Sequence, residues 1–460
     1  MKFRGIIALL LSLTILLTAC AQAVPAETTE QEMPVLQGQL AAPNYPKMAP
    51  YPDEMAFIDE STGEFDDEGF SAVYTAWRED RQNQYSQPQG YAQGLDAFFR
   101  ESLSGFLEGE ATENRVCSPL NLYMALALLA EVTDGQTRQQ ILTALGAENV
   151  GALRTQAGHV WNAHYCADNA SACVLANSLW MDQAFTYDQA TVDRLAKDYY
   201  ASAFQGNLGS QEMDAMLQAW INHQTDGLLE EQAGNIHMDP QTVLALASTI
   251  YYRAKWTAEF SENQNTQAQF HSPSGDKEVT YMNSTLTYGP YYWGEDFGAV
   301  ALDLEDGSRM WLVLPDEGKT PDQVLGSGYA LDMILGDPYS YENQKSLKVH
   351  LSVPKFDVVA DRKMNNSLQA LGIADAFDSE KADFSAILPG QACWLDSVDH
   401  AARVAIDETG VTAAAYTVML MCGAAMPPAE QMDFVLDRPF LFVIASRDNL
   451  PLFAGIVNQP

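Results

Sequence analysis

Few residues of this 460-residue chain have the types and the spacing that catalysis or metal binding requires. The sequence contains no GxSxG, HExxH or CxxC motif and no glycine-rich phosphate-binding loop. His159, His164 and Cys166 lie close together, but a metal site needs more ligands at a better spacing, so we interpret these residues as structural. We therefore expect no metal and no cofactor. An exported enzyme that uses acidic residues in a cleft is an alternative without a supporting motif.

A histidine in an apolar strand is the most informative polar residue. Apolar residues at alternate positions predict a buried strand whose inner face carries this one histidine. The residues of this face are Val398, His400, Ala402, Val404 and Ile406. Beyond the strand lies the stretch 408–426, which begins with small residues: Gly410 relaxes the backbone, and residues 412–415 add almost no bulk. On composition alone, this run is equally well interpreted as a flexible surface loop.

Helices upstream must support that strand. Helical spacing of apolar residues opens the folded domain at Leu95, Phe98, Phe99, Leu103 and Phe106. Ser118 as N-cap and Pro119 at the first helical position predict a second helix, which is apolar nearly all round and hence buried. Thr137 with Gln140 matches a capping box for the next helix.

Residues 1–20 are interpreted as a targeting segment that is not part of the fold. Lys2 and Arg4 precede an apolar run that is too short to span a membrane. Residues 17–20 resemble a bacterial lipobox, in which Cys20 is lipidated and becomes the mature N-terminus. The alternative is ordinary secretion with cleavage after Ala23. Either route exports the protein, to the outer face of the cell envelope or to the medium.

Residues 21–90 are predicted to form a flexible tether, because prolines, acidic residues and glutamines are scattered there without periodicity. As a flexible coil this segment would span roughly 45 Å. Residues 91–460 would then form the folded domain. A net charge of −36 argues against a nucleic-acid partner, and 47% hydrophobic residues are ample for a core.

Besides Cys20, the chain has an odd number of scattered cysteines, which is not a disulfide framework. They are Cys117, Cys166, Cys173, Cys393 and Cys422. Cys166 and Cys173 are near enough in sequence to close a small loop, but no disulfide is assigned.

The C-terminal third resembles the serpins, the loop-inserting protease inhibitors. Residues 434–444, FVLDRPFLFVI, match that family's C-terminal signature at every position, and residues 405–415, AIDETGVTAAA, resemble its hinge. Other stretches that resemble serpin sequences occur in the family's order, and the resemblance covers about residues 95–460. They are NRVCSPLNLYMALALL, ANSLW, WINHQTDG, LALASTIYYRAKW, LPDEG, VPKF and LGIADAF.

The resemblance implies an α+β fold in which helices pack around three mostly antiparallel β-sheets and a reactive-centre loop is exposed. TVLALASTIYY and PFLFVIAS fit central strands that are buried on both faces. SRDN before PLFAGIV fits a tight hairpin between the last two strands.

The resemblance also implies irreversible inhibition of serine proteases rather than enzymatic activity. The usual loop length places the scissile bond between Ala424 and Ala425, whose small side chains favour elastase-like or subtilisin-like targets. The expected partner is a target protease in a covalent complex with a monomer, and a membrane is contacted only through the lipid at Cys20. The alternative is a non-inhibitory serpin that acts as a carrier or scaffold.

The implied hinge is the segment that would enter the sheet. Four alternate residues would face the core after insertion, and none of them is charged or large, which keeps the cost of burial low: Val411, Ala413, Ala415 and Thr417. Non-inhibitory members tend to carry prolines or charges there. The hinge residues are Glu408, Gly410, Val411, Thr412, Ala413, Ala414 and Ala415.

A buried polar cluster is implied where the sheet must open. In serpins a serine on the buried helix, an asparagine on the central strand and a histidine before the hinge commonly share hydrogen bonds. Asn121, Ser248 and His400 occupy these positions, so the serine and the asparagine have exchanged places. We predict that Asn121 and Ser248 are coupled through His400, whereas independent drift would leave His400 as an ordinary core histidine.

Overall fold

Helices and strands alternate along the chain without segregating into separate halves. The computed structural model describes residues 38–59, 61–411 and 430–460. Within these residues the α-helices are α1 Asp67–Tyr85, α2 Leu95–Phe106, α3 Pro119–Val132, α4 Gly135–Ala144, α5 Val150–His164, α6 Gln189–Asp198, α7 Gln211–Gln224, α8 Glu230–Gly234, α9 Pro321–Ser327, α10 Tyr329–Leu335 and α11 Asn365–Ala370. Short 3₁₀ helices cover Glu54–Phe57, Glu262–Gln264 and Asp375–Phe377.

The strands of the first half of the chain are β1 Gln39–Ala41, β2 Arg115–Cys117, β3 Cys166–Ala167, β4 Ala172–Asp182, β5 Ala201–Gly206, β6 Leu244–Lys255, β7 Thr266–Ser272 and β8 Gly275–Trp293. Those of the second half are β9 Phe297–Asp303, β10 Arg309–Pro315, β11 Gln344–Pro354, β12 Phe356–Lys363, β13 Asp399–Ile406, β14 Gly410–Val411, β15 Gln431–Val435, β16 Phe440–Ala445 and β17 Pro451–Val457.

The strands form two sheets in the described residues. Sheet 1 has eight strands in the order β1-β5-β4-β6-β14-β13-β12, with β3 paired to β4. Sheet 2 has nine strands in the order β15-β11-β8-β9-β10-β16-β17-β2, with β7 paired to β8. All pairs are antiparallel except β4 with β5 and β11 with β15. The expected α+β class and mostly antiparallel pairing are therefore confirmed.

A separate third sheet is absent from the described residues. The reason is β8, a 19-residue strand that pairs with β7 and β11 along its length and with β9 at its end. Because one continuous strand takes part in every one of these ladders, they merge into a single sheet.

Local signals in the sequence account for the supporting helices. Ser118 Oγ accepts a hydrogen bond from Asn121 N–H at 3.3 Å and Pro119 opens α3, as predicted. The helix is buried nearly throughout and contacts both β6 and β17, so it lies between the two sheets. The strand β16 is buried at all six positions, and the hairpin that leads to β17 contains Asn449 with a positive φ.

The capping box predicted for α4 is wrong. Asp134 is the N-cap, and Thr137 lies inside the helix. Thr137 Oγ1 instead accepts a hydrogen bond from Asp383 N–H, and Gln140 Oε1 accepts from Ala374 N–H at 3.0 Å. The two side chains therefore bind a distant segment, which the local pattern could not reveal.

The prediction of a flexible tether is wrong for residues 38–90. Strand β1 pairs with β5 and forms the edge of sheet 1, and α1 is a helix of 19 residues. The side chains of Phe70, Tyr74 and Trp77 stack in sequence along α1 with ring centroids 5.3–5.7 Å apart. This helical spacing of aromatic residues is the signal that the polar composition of the segment masks. In the described ranges no helix is both long and apolar enough to cross a membrane.

Candidate functional site

The implied hinge enters sheet 1 at the ends of two strands. Strand β14 lies between β6 and β13, where Gly410 is opposite Lys255 and Val411 is opposite both Ala254 and Ile406. The Val411 side chain is 1% exposed. The chain thus forms a two-residue strand between β6 and β13 at this point.

Glycine is required at position 410 by close approach of another backbone. A Cβ added there would lie 2.3 Å from the carbonyl oxygen of Ala254 and 2.8 Å from the Lys255 Cα. Both contacts are shorter than van der Waals distance and involve main-chain atoms of β6, which cannot rotate away. Any side chain would therefore push β14 away from β6.

A turn before β14 fixes the direction in which the hinge enters the sheet. Asp407 Oδ1 accepts hydrogen bonds from Thr409 N–H at 2.8 Å and from Gly410 N–H at 3.1 Å. The Trp256 indole N–H donates to the Asp407 carbonyl at 2.9 Å, and Trp256 N–H donates to the Thr409 carbonyl. Trp256 is buried and directly follows β6, so it ties the turn to that strand.

Glu408 is a buried carboxylate with two side-chain partners. It is 6% exposed, and Lys355 Nζ and Asn265 Nδ2 each lie 2.5 Å from its Oε1. Burial alone would raise the pKa of Glu408, but the hydrogen bonds from Lys355 and Asn265 outweigh it and hold the pKa below its usual value. The carboxylate therefore stays ionised and anchors the hinge to the start of β12.

Asn121 and Ser248 meet directly, on α3 and β6. Ser248 Oγ lies 2.7 Å from the Asn121 carboxamide and 2.8 Å from Asn177 Oδ1. A hydroxyl has one hydrogen to donate, and Asn177 is oriented by donating its Nδ2 to the Tyr199 carbonyl. The single hydroxyl hydrogen of Ser248 can therefore be donated either to Asn121 Oδ1 or to Asn177 Oδ1, and Asn121 Nδ2 is buried without a hydrogen-bond partner among the described residues.

His400 bonds Ser118 rather than Asn121 or Ser248. Its Nε2 accepts a hydrogen bond from Ser118 N–H at 2.9 Å, which places the ring proton on Nδ1. Burial, with a smaller effect of the Arg362 charge, lowers the pKa of His400 to about 4. The predicted route of coupling through His400 is therefore wrong, because the asparagine and the serine bond each other without it.

Several residues of this site were missed from the sequence. Asn177 is directly opposite Ser248 in the β4–β6 ladder, and Trp256, Lys355 and Asn265 hold the hinge turn. Asn177 lies in the serpin-like ANSLW block, but only the strand register brings it opposite Ser248. The other three come from segments far apart in sequence.

Other predicted sites lie outside the described residues. These are Cys20, Thr412, Ala413, Ala414, Ala415, Ala424 and Ala425.

The two histidines considered as metal ligands bond other groups: His159 Nδ1 is 2.8 Å from Gln87 Oε1, and His164 Nδ1 is 2.7 Å from the Val160 carbonyl. In the part of the chain that the structure describes, no group of three or more potential ligands could hold a metal ion.

Comparison with known proteins identifies the family. The model of the serpins, described as serine protease inhibitors, matches residues 96–460. The chain belongs to the serpin family. An uncharacterized serpin-like protein of Thermococcus kodakarensis is 28% identical to this serpin over 355 residues, 75% of this chain and 80% of that protein. A leukocyte elastase inhibitor of Xenopus laevis is 27% identical over 365 residues, 77% of this chain and 95% of its own.

Solved structures show the same fold. The native state of tengpin, a thermophilic serpin, superposes with a TM-score of 0.72 at 25% identity, covering 82% of this chain and 95% of that one. A thyroxine-binding globulin in complex with thyroxine gives a TM-score of 0.69 at 19% identity, covering 80% of this chain and 99% of its own. The serpin fold is therefore shared with proteins whose names describe different functions.

Proposed function

We propose that this serpin is an irreversible suicide-substrate inhibitor of serine proteases. The observation that carries the proposal is the position of β14, which already occupies the place between β6 and β13 that an inserting strand must enter. The buried Val411 adds neither a charge nor a proline to this entry point. Membership of the serpin family, with a leukocyte elastase inhibitor among its relatives, agrees with the proposal.

Inhibition would proceed by competition between insertion and hydrolysis. A protease attacks the scissile carbonyl, forms an acyl-enzyme and releases the C-terminal peptide. The freed upstream segment then inserts as a strand, and about fourteen residues at about 3.3 Å each carry the protease roughly 45 Å along the sheet. A protease distorted at the end of this movement cannot complete deacylation.

The proposed scissile bond joins Ala424 and Ala425. Small side chains on both sides fit a shallow specificity pocket, so elastase-like or subtilisin-like enzymes are the proposed targets, and trypsin is not. The proposed complex is covalent and contains one copy of each protein. The strongly acidic surface would favour encounter with basic proteases over nucleic acids.

The direct test incubates the protein with pancreatic elastase, subtilisin or trypsin and resolves the products under denaturing conditions. We expect an SDS-stable complex with elastase or subtilisin at a stoichiometry near one, and none with trypsin. Mass spectrometry of the released peptide should find an N-terminus at Ala425. Cleavage without any complex would support the alternative, a non-inhibitory serpin, and an N-terminus well away from Ala425 would overturn the assigned bond.

The protein is proposed to act outside the cytoplasm, attached to the cell envelope by a lipid on Cys20. This proposal rests on the lipobox-like residues 17–20 that end the apolar targeting segment. We predict that Cys20→Ala releases the protein into the medium or blocks its processing, because the lipid is the only proposed anchor. Fractionation with mass spectrometry of the mature N-terminus measures this. Wild-type protein found wholly in the medium with an N-terminus at Val24 would indicate simple secretion instead.

A further inference from the structure

Two cysteines face each other across a short hairpin remote in sequence from the hinge. Cys166 in β3 and Cys173 in β4 are directly opposite in an antiparallel register. Directly opposed residues of an antiparallel pair point to the same face of the sheet. Both side chains are on the buried face, with 2% and 4% of their surface exposed.

Both thiols are free in the structure, with Cys166 Sγ 3.2 Å from Ser171 Oγ, but the register brings the two backbones to a separation that a disulfide can bridge. Asp168 N–H donates to the Ser171 carbonyl across the turn, so the alternation of the ladder places Cys166 and Cys173 in a hydrogen-bonded pair. Such pairs have Cα atoms about 5.5 Å apart, which lies within the range of about 4.4–6.8 Å for disulfides. The other described cysteines do not share this geometry, since Cys117 lies in β2 of sheet 2 and Cys393 lies between α11 and β13.

We propose that Cys166 and Cys173 form a disulfide that closes this hairpin when the protein folds in an oxidising environment. The two thiols lose two protons and two electrons, and one S–S bond forms. The electron acceptor is a disulfide, such as glutathione disulfide or a disulfide-bearing protein, which is reduced to two thiols.

The bond forms while the chain folds and is protected afterwards. Thiol–disulfide exchange needs a thiolate, and burial raises the pKa of Cys166 to about 11 and that of Cys173 well above its usual value. The folded, reduced protein therefore reacts slowly, whereas the unfolded chain has ordinary thiols.

The disulfide would hold the hairpin on which the N-terminal segment docks. Asp168 lies at the turn and is fully buried; its carboxylate accepts from the Trp77 indole N–H at 3.2 Å and pairs with Arg81 at 3.4 Å. Arg81 also donates to Ser171 Oγ at 3.0 Å. A disulfide between Cys166 and Cys173 would hold the Asp168 carboxylate and the Ser171 hydroxyl in place against α1, whose Trp77 and Arg81 bind them.

The test refolds the full, reduced chain in a buffer of reduced and oxidised glutathione, alkylates free thiols after unfolding, and maps the peptides without reduction. Cleavage before aspartate separates Cys166, in peptide 134–167, from Cys173, in peptide 168–181. We expect these two peptides joined by a disulfide and separated by reduction. Cys173→Ser should abolish the joined species, and Cys393→Ser should keep it.

The proposal would be overturned if both cysteines were alkylated in the refolded wild-type protein, or if Cys166 were joined mainly to a cysteine other than Cys173. The rate of disulfide formation provides a second test, which needs no variant. The folded, reduced protein should acquire the bond at least about tenfold more slowly than the refolding chain, because burial suppresses the thiolate. Equal rates would contradict the burial argument.

Discussion

The contact between Asn121 and Ser248 joins the buried helix α3 to the central strand β6 by one hydrogen bond. Replacing either residue with alanine should destabilise the native form by about 1–3 kcal/mol, because Ser248→Ala leaves the buried Asn121 carboxamide without its partner and Asn121→Ala removes one of the two partners of Ser248. The double variant should cost less than the sum, since the shared bond is lost only once. The measurement is a double-mutant cycle on denaturant unfolding, or on unfolding rates if unfolding is irreversible.

Asn177 supplies the control for this cycle, because it also bonds Ser248. Asn121→Ala and Asn177→Ala each leave Ser248 with one remaining partner, so each should be less than additive with Ser248→Ala. Strict additivity of Asn121→Ala with Ser248→Ala would show that the contact contributes nothing and that the exchange of the two residue types is accidental.

His400 makes stability depend on pH. Its pKa falls from 6.5 to about 4 on folding, so the unfolded chain binds a proton in a range where the native state does not. The contribution of the neutral His400 ring to the free energy of unfolding is therefore fully present above about pH 6.5 and is lost as pH falls toward about 4. The full loss is about 3 kcal/mol.

The variant His400→Gln retains an acceptor for Ser118 N–H but cannot titrate. The drop in unfolding free energy between about pH 7 and about pH 4.5 should shrink by about 2–3 kcal/mol relative to wild type. Burial lowers the pKa of His164 to about 4 as well, so a pH dependence from that residue should persist. An unchanged drop in the variant would mean that His400 does not contribute.

At the scale of elements, the proposed insertion requires a hinge whose inward side chains are small and neutral. We predict that Ala413→Glu or Ala415→Glu converts the proposed inhibitor into a substrate, because the carboxylate must be buried or protonated during insertion. The stoichiometry of inhibition and the yield of covalent complex measure this. Ala414→Glu is the matched control, since its side chain would face away from the core. Unchanged complex formation in both inward variants would contradict the insertion argument.

The sequence predicted the elements of this region better than their contacts. Alternation located the buried face of β13, and Ser118 with Pro119 located the start of α3, because both signals are local. The sequence predicted that Asn121 and Ser248 are coupled through His400, whereas the two residues bond each other directly. This contact depends on how α3 lies across β6, which no local pattern reveals. Likewise, the Lys355 and Asn265 partners of Glu408 lie on segments that only tertiary packing brings together.

At the scale of the whole molecule, the folded body extends beyond the part that the serpin model matches. That match begins at residue 96, whereas β1 pairs with β5 from Gln39 onward. Pairing of β1 covers an edge of sheet 1 that would otherwise present free backbone groups. Tyr45 adds an aromatic anchor, with its ring 5.4 Å from that of Trp161.

A buried ion pair contributes to the attachment of α1. Asp168 is fully buried, and Arg81 is its cationic partner. Arg81→Ala should destabilise the protein by about 3 kcal/mol, because the carboxylate is left in a buried site without a countercharge. Arg78→Ala, an exposed arginine of the same helix, is the matched control and should change stability by less than about 0.5 kcal/mol. Thermal unfolding of both variants, together with limited proteolysis of residues 38–90, measures the difference. If Arg81→Ala behaved like Arg78→Ala in both assays, the N-terminal segment would not be held by this ion pair.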